Sequence, residues 1–483
     1  MPEFRYYSTN NPSEQANFET ALLKGIAPDF GLYTLSPQDI PKISKQQLRE
    51  MRSQSFAEIS FEVLSPFTQN EIPEDELRAL LEDAYNERII PTTLQTVSEK
   101  ESILWLTKGP TYSFKDYAAR FLARTLNYFL GVRELKRTVI VATSGDTGGA
   151  VADAVHGLDN IDNVVFFPKG SISEGQRRQM TTLKGNVFAF EVNGDFDVCQ
   201  ALAKSLIGDK MFAESVFGDA QHLTSANSIS LGRLLPQAVY PFFAFSRLAS
   251  EKPFVASVPS GNFGGIMGTV FAKAMGLPVQ KILCGVNENR EFPDFLSTGK
   301  YEVRPSISCP SSAMIVSHPG NLARLVDFYG GHLFDERDPE TRKVKREGVI
   351  SRMPDLERMR KDLYSVSISN PEHFQTMKEV FEQRGIILDP HGAVGWKTLQ
   401  YFARDHSFDQ AIVYETADPG KFPEDVQKAI GITPPLPPKM QAQAESDERI
   451  YSIESAPLQT TQGLKLSDAQ VEEAQRKIRQ LFA

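Results

Sequence analysis

Buried strands and helices alternate in the apolar pattern of this chain. Short, nearly continuous apolar runs of strand type are separated by segments with apolar residues at helical spacing. The strand candidates are "TVIVA" from Thr138, "NVVFF" from Asn163, "FVASV" from Phe254, "KILCGV" from Lys281 and "QAIVYE" from Gln410. Because strands that alternate with helices form parallel sheets buried on both faces, the pattern predicts the α/β class, with ligands at the carboxyl ends of the strands.

The same pattern divides the chain into parts. Residues 1–100 are more polar and rich in helix formers, and we interpret them as an N-terminal subdomain. Residues 101–135 and 231–433 are predicted to form a large α/β domain and residues 136–230 a smaller one, each built on an open, twisted, mostly parallel sheet with flanking helices. The prolines of "PPLPPKMQAQAESDE" predict an extended linker, so residues 434–483 are expected to be a linker and a last helix outside the catalytic core.

Charge and hydropathy narrow the classes of partner. The chain of 483 residues has 52 basic and 61 acidic side chains, and its net charge of −9 argues against general binding to nucleic acid or anionic membranes. The start of the chain lacks the apolar core of a secretory signal, and "AVYPFFAF" from Ala238 is too short to cross a bilayer. We therefore expect small-molecule ligands and no membrane segment.

The cysteines indicate a reducing compartment. Cys199, Cys284 and Cys309 are odd in number and lie far apart, without the spacing of a metal site. We expect buried thiols, no metal, and a cytoplasmic protein.

A lysine at a helix start is the first candidate for chemistry. In "GPTYSFKDYAARFLARTLNYFLG", apolar residues recur at helical spacing after Lys115 and Gly131 supplies a stop, so a helix is predicted to begin near Lys115. A helix N-terminus disfavours an ammonium, so Lys115 should ionise less readily and act as a base or a Schiff-base partner. The alternative, which this segment alone favours, is a lysine that reaches water or pairs with Asp116.

Polar and glycine-rich loops follow two of the predicted strands. In "VIVATSGDTGGAVADAV" the loop after Ala142 holds four polar side chains and three glycines, more than a helix cap needs, and predicts a cradle for a carboxylate-sized anion. In "FVASVPSGNFGGIMGTVFAKAMG" the glycines after Val258 let the backbone approach an anion, which predicts a phosphate cup. Neither the Walker pattern nor the dinucleotide fingerprint fits this second loop.

A third loop, "AIVYETADPGKFPEDV", places a hydroxyl at a strand end. The strand is predicted to end at Glu415, and Thr416 opens the turn. A neutral hydroxyl there could hydrogen bond to a heteroaromatic nitrogen without protonating it, although an ordinary turn residue is the alternative. A cofactor with an aldehyde, a phosphate and a ring nitrogen would use the lysine, the cup and the hydroxyl together, and pyridoxal phosphate has all three.

Several motifs in one order then carry a family resemblance. "TYSFKDYAARF", "ATSGDTGGA", "TSANSISLGRLLPQ", "VPSGNFGGIMG", "DPHGAVGW" and "ETADPGKFPEDV" resemble the threonine synthases, as do "YYSTN" and "GIAPDFGLY" near the start. The resemblance runs from about Tyr6 to Ile430. It implies the tryptophan synthase β-subunit fold, which is pyridoxal-phosphate fold type II, with the large domain binding the cofactor.

The resemblance also implies roles for individual residues. Lys115 would hold pyridoxal phosphate as an imine, and Thr416 would face its pyridine nitrogen. The cofactor phosphate would bind Gly261, Asn262, Phe263, Gly264 and Gly265, with Asn227 beside the cofactor or substrate. The substrate carboxylate would meet Ser144, Gly145, Asp146 and Thr147. The family converts O-phospho-L-homoserine and water into L-threonine and phosphate, and the candidates for holding the leaving phosphate are Arg233, Arg324 and Lys421, each of which could instead form a surface salt bridge.

The chain departs from the family pattern in the segment "AMIVSHPGN" and after the last strand. Ile315 stands where an acid is usual, Gly320 where a serine is usual, and Asp418 where histidine is common. His318 adds a possible donor to this segment. These departures leave open how the substrate is contacted.

Two other functions remain open. A phospho-lyase would use the same cofactor and substrate but release 2-oxobutyrate, ammonia and phosphate. A non-catalytic nucleotide or metabolite binder would share the doubly wound sheet, but Lys115 would be dispensable and the protein colourless. For the quaternary structure we expect a monomer or a homodimer.

Overall fold

A computed structural model gives the fold and describes residues 6–68, 71–339, 342–460 and 463–482. Within these ranges the strands are β1 (Tyr6–Ser8), β2 (Gln15–Ala16), β3 (Tyr33–Thr34), β4 (Thr93–Thr96), β5 (Glu101–Trp105), β6 (Arg137–Ala142), β7 (Ile161–Pro168), β8 (Val187–Val192), β9 (Leu223–Ser225), β10 (Phe254–Pro259), β11 (Val279–Val286), β12 (His332–Arg337), β13 (Val344–Arg352), β14 (Leu363–Ser367), β15 (Gln410–Glu415), β16 (Ile450–Ile453), β17 (Leu458–Thr460) and β18 (Gly463–Lys465).

The α-helices are α1 (Phe18–Lys24), α2 (Lys45–Glu50), α3 (Phe56–Thr68), α4 (Glu74–Ala84), α5 (Lys115–Val132), α6 (Asp146–Val155), α7 (Glu174–Thr181), α8 (Phe196–Gly208), α9 (Lys210–Phe217), α10 (Leu231–Leu234), α11 (Val239–Ser246), α12 (Gly264–Ala274), α13 (Glu291–Thr298), α14 (Leu322–Phe328), α15 (Leu356–Asp362), α16 (Asn370–Arg384), α17 (Pro390–Asp405), α18 (Pro423–Ile430), α19 (Pro438–Ala444) and α20 (Asp468–Leu481). Short 3-10 helices cover Met51–Ser53, Leu235–Ala238, Ser312–Met314 and Pro419–Lys421.

The chain forms two compact units. The larger comprises Met1–Ala118 and Ser228–Pro435, and the smaller comprises Ala119–Asn227 and Leu436–Ala483. The predicted strands are all present, as β6 and β7 in the smaller unit and β10, β11 and β15 in the larger. The division differs from the sequence-based one mainly in three places: the N-terminal segment belongs to the larger unit, whereas residues 119–135 and the C-terminal tail belong to the smaller.

A six-stranded sheet of order β14-β11-β10-β15-β5-β4 forms the centre of the larger unit. Neighbouring strands pair in parallel from β14 to β5, and only β4, the outermost strand on that side, is antiparallel. On one face Trp396 and Leu399 of α17 pack against Val255, Leu283 and Val413 of the three central strands. Burial of both faces explains the nearly continuous apolar runs of these strands.

Aromatic packing ties the N-terminal segment to the larger unit. The ring of Phe56 lies 5.1 Å from that of Tyr85, 5.0 Å from that of Tyr117 and 5.3 Å from that of Phe243, measured between ring centroids. The Tyr85 hydroxyl also donates to the Tyr117 carbonyl oxygen at 3.0 Å. Buried aromatic side chains contribute large apolar areas, so this segment shares a core with the start of α5 rather than forming its own.

A five-stranded parallel sheet of order β16-β8-β7-β6-β9 forms the smaller unit. The C-terminal tail contributes to it, since β16 pairs with β8 and places Ile453 opposite Val192. Ala474 and Ile478, four residues apart on α20, are buried in the same core. The tail is therefore part of this unit and not an appendage.

Part of the predicted linker is helical. The helix α19 begins at Pro438, because proline is tolerated in the first turn of a helix, where its missing N–H group has no intrahelical partner. The residues that follow, Lys439 to Ala444, are good helix formers.

Three further properties concern the described residues as a whole. None of their helices is both long and apolar enough to cross a membrane. They contain no group of three or more histidine, cysteine or acidic side chains arranged to hold a metal ion. Cys199, Cys284 and Cys309 are free thiols and are buried, as predicted.

Candidate active site

Three adjacent parallel strands of the larger unit lead into the predicted chemical residues. The loop 260–265 follows β10, Thr416 follows β15, and the segment that ends at Lys115 follows β5. Because β15 pairs in parallel with both β10 and β5, their carboxyl ends lie at one edge of the sheet. This is the position at which open parallel sheets bind ligands.

Lys115 and Thr416 are brought together by backbone pairing. The Phe114 N–H donates to the Thr416 carbonyl oxygen at 2.8 Å, and the Asp418 N–H donates to the Tyr112 carbonyl oxygen at 3.0 Å. Lys115 is the first residue of α5, as predicted, and its Nζ lies 5.0 Å from the ring centroid of Phe114. The lysine and the hydroxyl therefore share one small part of the larger unit.

The loop before Lys115 is fixed by Asp116. This carboxylate accepts hydrogen bonds from the Thr111 N–H at 2.8 Å and from the Thr111 hydroxyl at 2.5 Å. A Cβ atom on Gly109 would lie 2.4 Å from Asp116 Oδ2, which explains the glycine at the start of the motif. Lys421 Nζ donates to the Thr111 carbonyl oxygen at 2.8 Å, so this buried lysine also holds the loop.

The loop 261–265 is a glycine cradle at a helix N-terminus. The helix α12 begins at Gly264, and Phe263 before it has a left-handed φ of 60°. A Cβ atom on Gly261 would lie 2.7 Å from the Ala313 carbonyl oxygen, and one on Gly264 would lie 2.4 Å from Gln237 Nε2. Side chains are thus excluded on one side of the loop, and the first N–H groups of the helix are available for an anion on the other.

Asn262 is held by the segment that departs from the family pattern. Its Oδ1 accepts from the Gly320 N–H at 3.1 Å, and its carbonyl oxygen accepts from Asn321 Nδ2 at 3.0 Å. A Cβ atom on Gly320 would lie 2.9 Å from Ile229 Cγ2, so serine would fit poorly here. The absence of a side chain at Gly320 therefore leaves room for the Ile229 side chain.

Arg324 lies behind this loop. Its side chain is fully buried, and it donates from Nη1 to Asn321 Oδ1 at 2.6 Å and from Nε to the Tyr33 carbonyl oxygen at 2.9 Å. Burial lowers the pKa of the guanidinium to about 9. These contacts assign Arg324 to the support of Asn321, and its predicted contact with the leaving phosphate stays a prediction.

Arg233 interacts electrostatically with Asp116 in the first turn of α5. It lies on α10 and is 3% exposed, and burial lowers its pKa to about 10, partly offset by the nearby Tyr240 and Asp116. A guanidinium with this pKa is charged at neutral pH. Its predicted contact with the leaving phosphate is compatible with this position.

The other departures make local contacts within the protein. Asp418 accepts from the Gly420 N–H at 3.0 Å and from Lys108 Nζ at 3.1 Å. Both ring nitrogens of His318 are occupied, by the Tyr301 hydroxyl at 2.8 Å and by an Asp335 carboxylate oxygen at 3.1 Å. These contacts tie the Asp418 segment to Lys108 and the His318 segment to Tyr301 and Asp335.

The predicted carboxylate cradle lies in the smaller unit. Ser144 follows β6 and is exposed, and Thr147 is partly exposed in the first turn of α6. The capping role belongs to Thr143, whose hydroxyl accepts from the N–H groups of Gly145 and Gly148 at 2.9 and 2.8 Å. Both interpretations of this loop are therefore compatible, because Thr143 caps the helix while Ser144 and Thr147 are at least partly exposed.

Other residues of the cradle are held by their own unit. Asp146 Oδ1 accepts from Gln176 Nε2 at 3.0 Å, and a Cβ atom on Gly145, whose φ is 133°, would lie 2.4 Å from the Gln176 side chain. Asn227 is exposed, two residues beyond β9. Since β9 is parallel to β6, Asn227 and the cradle lie at the same edge of the smaller sheet.

The larger unit also contains a buried polar group for which no role is predicted from the sequence. Asp389, His391 and Glu415 are 0%, 3% and 0% exposed. Two of them belong to the motif "DPHGAVGW" and one ends β15, so the local sequence gives no sign that they meet. The available signal was an acid at the end of an otherwise apolar strand.

The residues at the edge of the larger sheet fit pyridoxal phosphate. The glycine cradle at the start of α12 suits its phosphate, and Lys115 suits its aldehyde. Within the described part of the chain the Thr416 hydroxyl makes no hydrogen bond, so it is available to a ring nitrogen.

Comparisons with known proteins agree with this geometry. A family described as "Threonine synthase N terminus" matches residues 5–85, "Pyridoxal-phosphate dependent enzyme" matches residues 104–414, and "Threonine synthase, C-terminal" matches residues 392–464. The last match corrects the expectation that the resemblance ends near Ile430.

Similar proteins cover most of the chain. A threonine synthase of Serratia marcescens is 34% identical over 443 residues, which are 91% of this chain and 94% of that protein. A threonine synthase of Escherichia coli (strain K12) is 32% identical over 443 residues, with the same two coverages.

Solved structures are similar as well. The structure of a pyridoxal-phosphate-bound threonine synthase from Brucella melitensis has a TM-score of 0.86 at 31% identity and covers 99% of each chain. That of the yeast threonine synthase has a TM-score of 0.84 at 29% identity, covering 99% of this chain and 98% of the other.

Proposed function

Because this chain belongs to the threonine synthase family, we propose that it converts O-phospho-L-homoserine and water into L-threonine and phosphate at the edge of the larger sheet. It is a pyridoxal-phosphate-dependent lyase of the threonine synthase type. The observation that carries the site assignment is the backbone pairing that sets Lys115 beside Thr416, next to the glycine cradle.

We assign the cofactor-binding roles to residues of this edge. Pyridoxal phosphate, when bound, supplies an aldehyde and an electron-withdrawing ring that makes the α-proton of an amino acid acidic. Lys115 Nζ binds the aldehyde carbon, the N–H groups of 261–265 bind the phosphate, and the Thr416 hydroxyl hydrogen bonds to the ring nitrogen. A hydroxyl leaves this nitrogen neutral, whereas a carboxylate would favour its protonated form.

Lys115 is also the proposed proton carrier. An amine at a helix N-terminus loses its proton more readily than one in water, which suits a group that must take and return protons at neutral pH. The Phe114 ring lies next to this amine, with its centroid 5.0 Å from Nζ. Lys115 therefore combines cofactor binding with proton transfer between substrate carbons.

The substrate contacts rest on the family resemblance together with the local geometry. We propose that residues 144–147 bind the carboxylate of the amino acid and that Asn227 lies beside the cofactor or substrate, because Ser144, Thr147 and Asn227 offer at least partly exposed polar groups at one edge of the smaller sheet. Arg233 is the first candidate for the leaving phosphate. Arg324 and Lys421 remain candidates, although their hydrogen bonds hold neighbouring loops.

The remaining proposals concern location and assembly. Free, buried cysteines and a net charge of −9 suit a cytoplasmic enzyme that acts on a small molecule and does not bind nucleic acid. We propose a monomer or a homodimer.

Product analysis tests the proposed reaction. Holoenzyme is incubated with O-phospho-L-homoserine, and threonine, phosphate and 2-oxobutyrate are measured, with Lys115→Ala as the control for background chemistry. We expect equal amounts of threonine and phosphate from the unaltered chain. Chiefly 2-oxobutyrate would support the phospho-lyase, which the names of the relatives do not favour, and absence of all products would refute the substrate assignment while leaving the cofactor untouched.

A further inference from the structure

A chain of buried hydrogen bonds lies beneath the cofactor-binding edge of the larger unit. It involves Asp389 and His391 at the start of α17 and Glu415 at the end of β15, all of them almost completely buried. None of these side chains has a role in the proposed reaction. Buried ionisable groups are unfavourable unless they are paired, so their presence calls for a physical reason.

The hydrogen bonds of His391 define its tautomer. Its Nε2 lies 3.1 Å from the backbone nitrogen of Ala313, and a backbone N–H group can only donate. Nε2 is therefore an acceptor without a proton, and the ring proton is on Nδ1, which donates to Asp389 Oδ1 in a short contact. His391 is thus a neutral bridge between Asp389 and Ala313.

Asp389 is stabilised as a carboxylate. As the N-cap of α17, it accepts from the His391 N–H at 2.8 Å and from the Gly392 N–H at 3.2 Å. Burial raises its pKa, but the interaction with the His391 ring and the hydrogen bonds from the His391 side chain and backbone outweigh burial, so the net pKa is lowered. A negative charge at this helix N-terminus is also favoured by the helix dipole.

The Glu415 carboxyl, unlike that of Asp389, is stabilised in its protonated form. Its Oε1 accepts from the Asp389 N–H at 2.7 Å, whereas among the described residues no donor reaches Oε2. Burial, followed by the charge of Asp389, raises the pKa of Glu415 well above its ordinary value, and Asp418 adds to the shift. A side-chain hydrogen bond between Glu415 and Asp389 contributes to both pKa shifts, and two carboxyl groups share a hydrogen bond only if one of them carries a proton, which here is Glu415.

Gly392 makes room for this acid. A Cβ atom on Gly392 would lie 1.5 Å from Glu415 Oε2. Any other residue would displace the Glu415 carboxyl, so the glycine of "DPHGAVGW" and the acid of "ETADPGK" form one structural feature.

The two ends of this chain of bonds reach the two ends of the proposed cofactor site. At one end, Glu415 immediately precedes Thr416. At the other, the carbonyl oxygen of Ala313 packs against Gly261 in the glycine cradle, so that a Cβ atom there would lie 2.7 Å from it. The bonds run continuously from Glu415 through Asp389 and His391 to Ala313.

We propose that Glu415, Asp389 and His391 are positioning residues that hold Thr416 and the loop 261–265 at a fixed separation, with Glu415 acting as a neutral carboxylic acid. The inference rests on the proposed cofactor roles of Thr416 and Gly261. A neutral Glu415 also keeps a negative charge away from the residue that faces the ring nitrogen, where a carboxylate would favour the protonated ring. The other nearby carboxylate, that of Asp418, forms an ion pair with Lys108.

Two substitutions separate the neutral acid from an ionised one. Glu415→Gln keeps a neutral side chain with a donor for Asp389 and an acceptor for its N–H group, whereas Glu415→Met keeps the volume and removes both. Glu291 provides the matched control. It is 4% exposed, its Oε2 also has no hydrogen-bond partner among the described residues, and burial raises its pKa.

The readout is retention of the cofactor by each holoenzyme, measured by absorbance during dialysis, together with kcat and KM. We expect Glu415→Met to bind pyridoxal phosphate about tenfold more weakly, because the loss of hydrogen bonds to buried groups is of that size, and Glu415→Gln to stay within about twofold of the unaltered chain. Glu291→Gln and Glu291→Met should leave retention unchanged.

Two results would overturn the proposal. If Glu415→Gln weakens retention as much as Glu415→Met, the acid acts as a carboxylate. If Glu415→Met leaves cofactor retention unchanged, the hydrogen bonds of Glu415, Asp389 and His391 do not position the cofactor-binding residues. Failure of the unaltered chain to bind the cofactor would instead refute the proposed function.

A second measurement on the unaltered holoenzyme does not depend on whether the variants fold. Histidine labelled with ¹⁵N reports the protonation of each ring nitrogen, and His391→Gln identifies the signal. We expect Nδ1 protonated and Nε2 unprotonated at neutral pH. A proton on Nε2 would contradict the bond to Ala313 and with it the network.

Discussion

At the scale of single residues, Lys115 is the residue on which the proposed chemistry depends most. It is the first residue of α5, and its segment pairs with that of Thr416. We expect Lys115→Ala to abolish the borohydride-reducible bond between protein and pyridoxal phosphate and to lower threonine formation by about 10²–10⁴-fold, the usual contribution of a general acid-base. Mass spectrometry after reduction checks the bond. A cofactor adduct on another lysine of the variant would refute the assignment.

Gly261 tests the cradle at the same scale. A side chain at this position would meet the Ala313 carbonyl oxygen, which belongs to the backbone and cannot rotate away. Gly261→Val should therefore weaken cofactor binding at least about tenfold, because the loop can no longer approach the phosphate closely. Gly208→Ala is the control, since no atom lies within 4 Å of a Cβ there. Equal affinity in both folded variants would count against the cradle.

Ile315 tests the departure from the family pattern. The residue before it, Met314, has its Cα 3.2 Å from a Cβ atom placed on Gly261, so position 315 is close in sequence to the wall of the cradle. A carboxylate there should repel bound phosphate. We expect Ile315→Asp to raise KM for O-phospho-L-homoserine or to weaken cofactor retention, and neutral Ile315→Asn to do so less. Identical behaviour of the two variants would show that charge at this position is irrelevant.

At the scale of elements, the central strands and the start of α5 could be predicted from the sequence because the signals are local. The run Phe254 to Val258 is apolar except for the buried Ser257, since both faces of β10 are covered. The meeting of Asp389 with Glu415 could not be predicted, because it depends on the packing of α17 against β15. The role of α20 was missed for the same reason, as the apolar spacing of Ala474 and Ile478 does not reveal which core they join.

The end of β15 also makes stability depend on pH. Burial and the adjacent Asp389 raise the pKa of Glu415, so the folded chain keeps a proton that the unfolded chain releases above pH about 4.3. The free energy of unfolding therefore falls as the pH rises above this value, by at most about 1.4 kcal/mol per pH unit, until the folded-state pKa is reached. The lowered pKa of Asp389 acts in the opposite direction, but only at lower pH.

Urea unfolding between pH 5 and 8 measures this effect. Glu415→Gln cannot titrate, so it should become steadily more stable relative to the unaltered chain as the pH increases. The pKa of the neighbouring Asp389 is lowered, so Asp389 stays ionised between pH 5 and 8 and does not add to the difference. A stability difference independent of pH would show that Glu415 is ionised in the folded protein.

At the scale of the whole molecule, the smaller unit is built from two separate stretches of the chain, because the last residues return to it. The tail supplies the edge strand β16 and the helix α20, which cover Phe190 and Val192 of β8. Phe190 and Val192 are fully buried in the core that the tail helps to form, so the tail contributes packing to the smaller unit.

Two changes in the tail test this role in the smaller unit. Ile478 is fully buried, so Ile478→Ala should lower the free energy of unfolding by about 2–5 kcal/mol through lost burial and the cavity that remains. Leu458, which is 55% exposed, is the control, and Leu458→Ala should change stability by less than about 0.5 kcal/mol. Removal of residues 436–483 should have a larger effect than Ile478→Ala, because it uncovers the whole edge of β8 and its apolar face. Calorimetry with limited proteolysis measures both, and a shortened chain as resistant to heat and protease as the full one would show that the tail is dispensable.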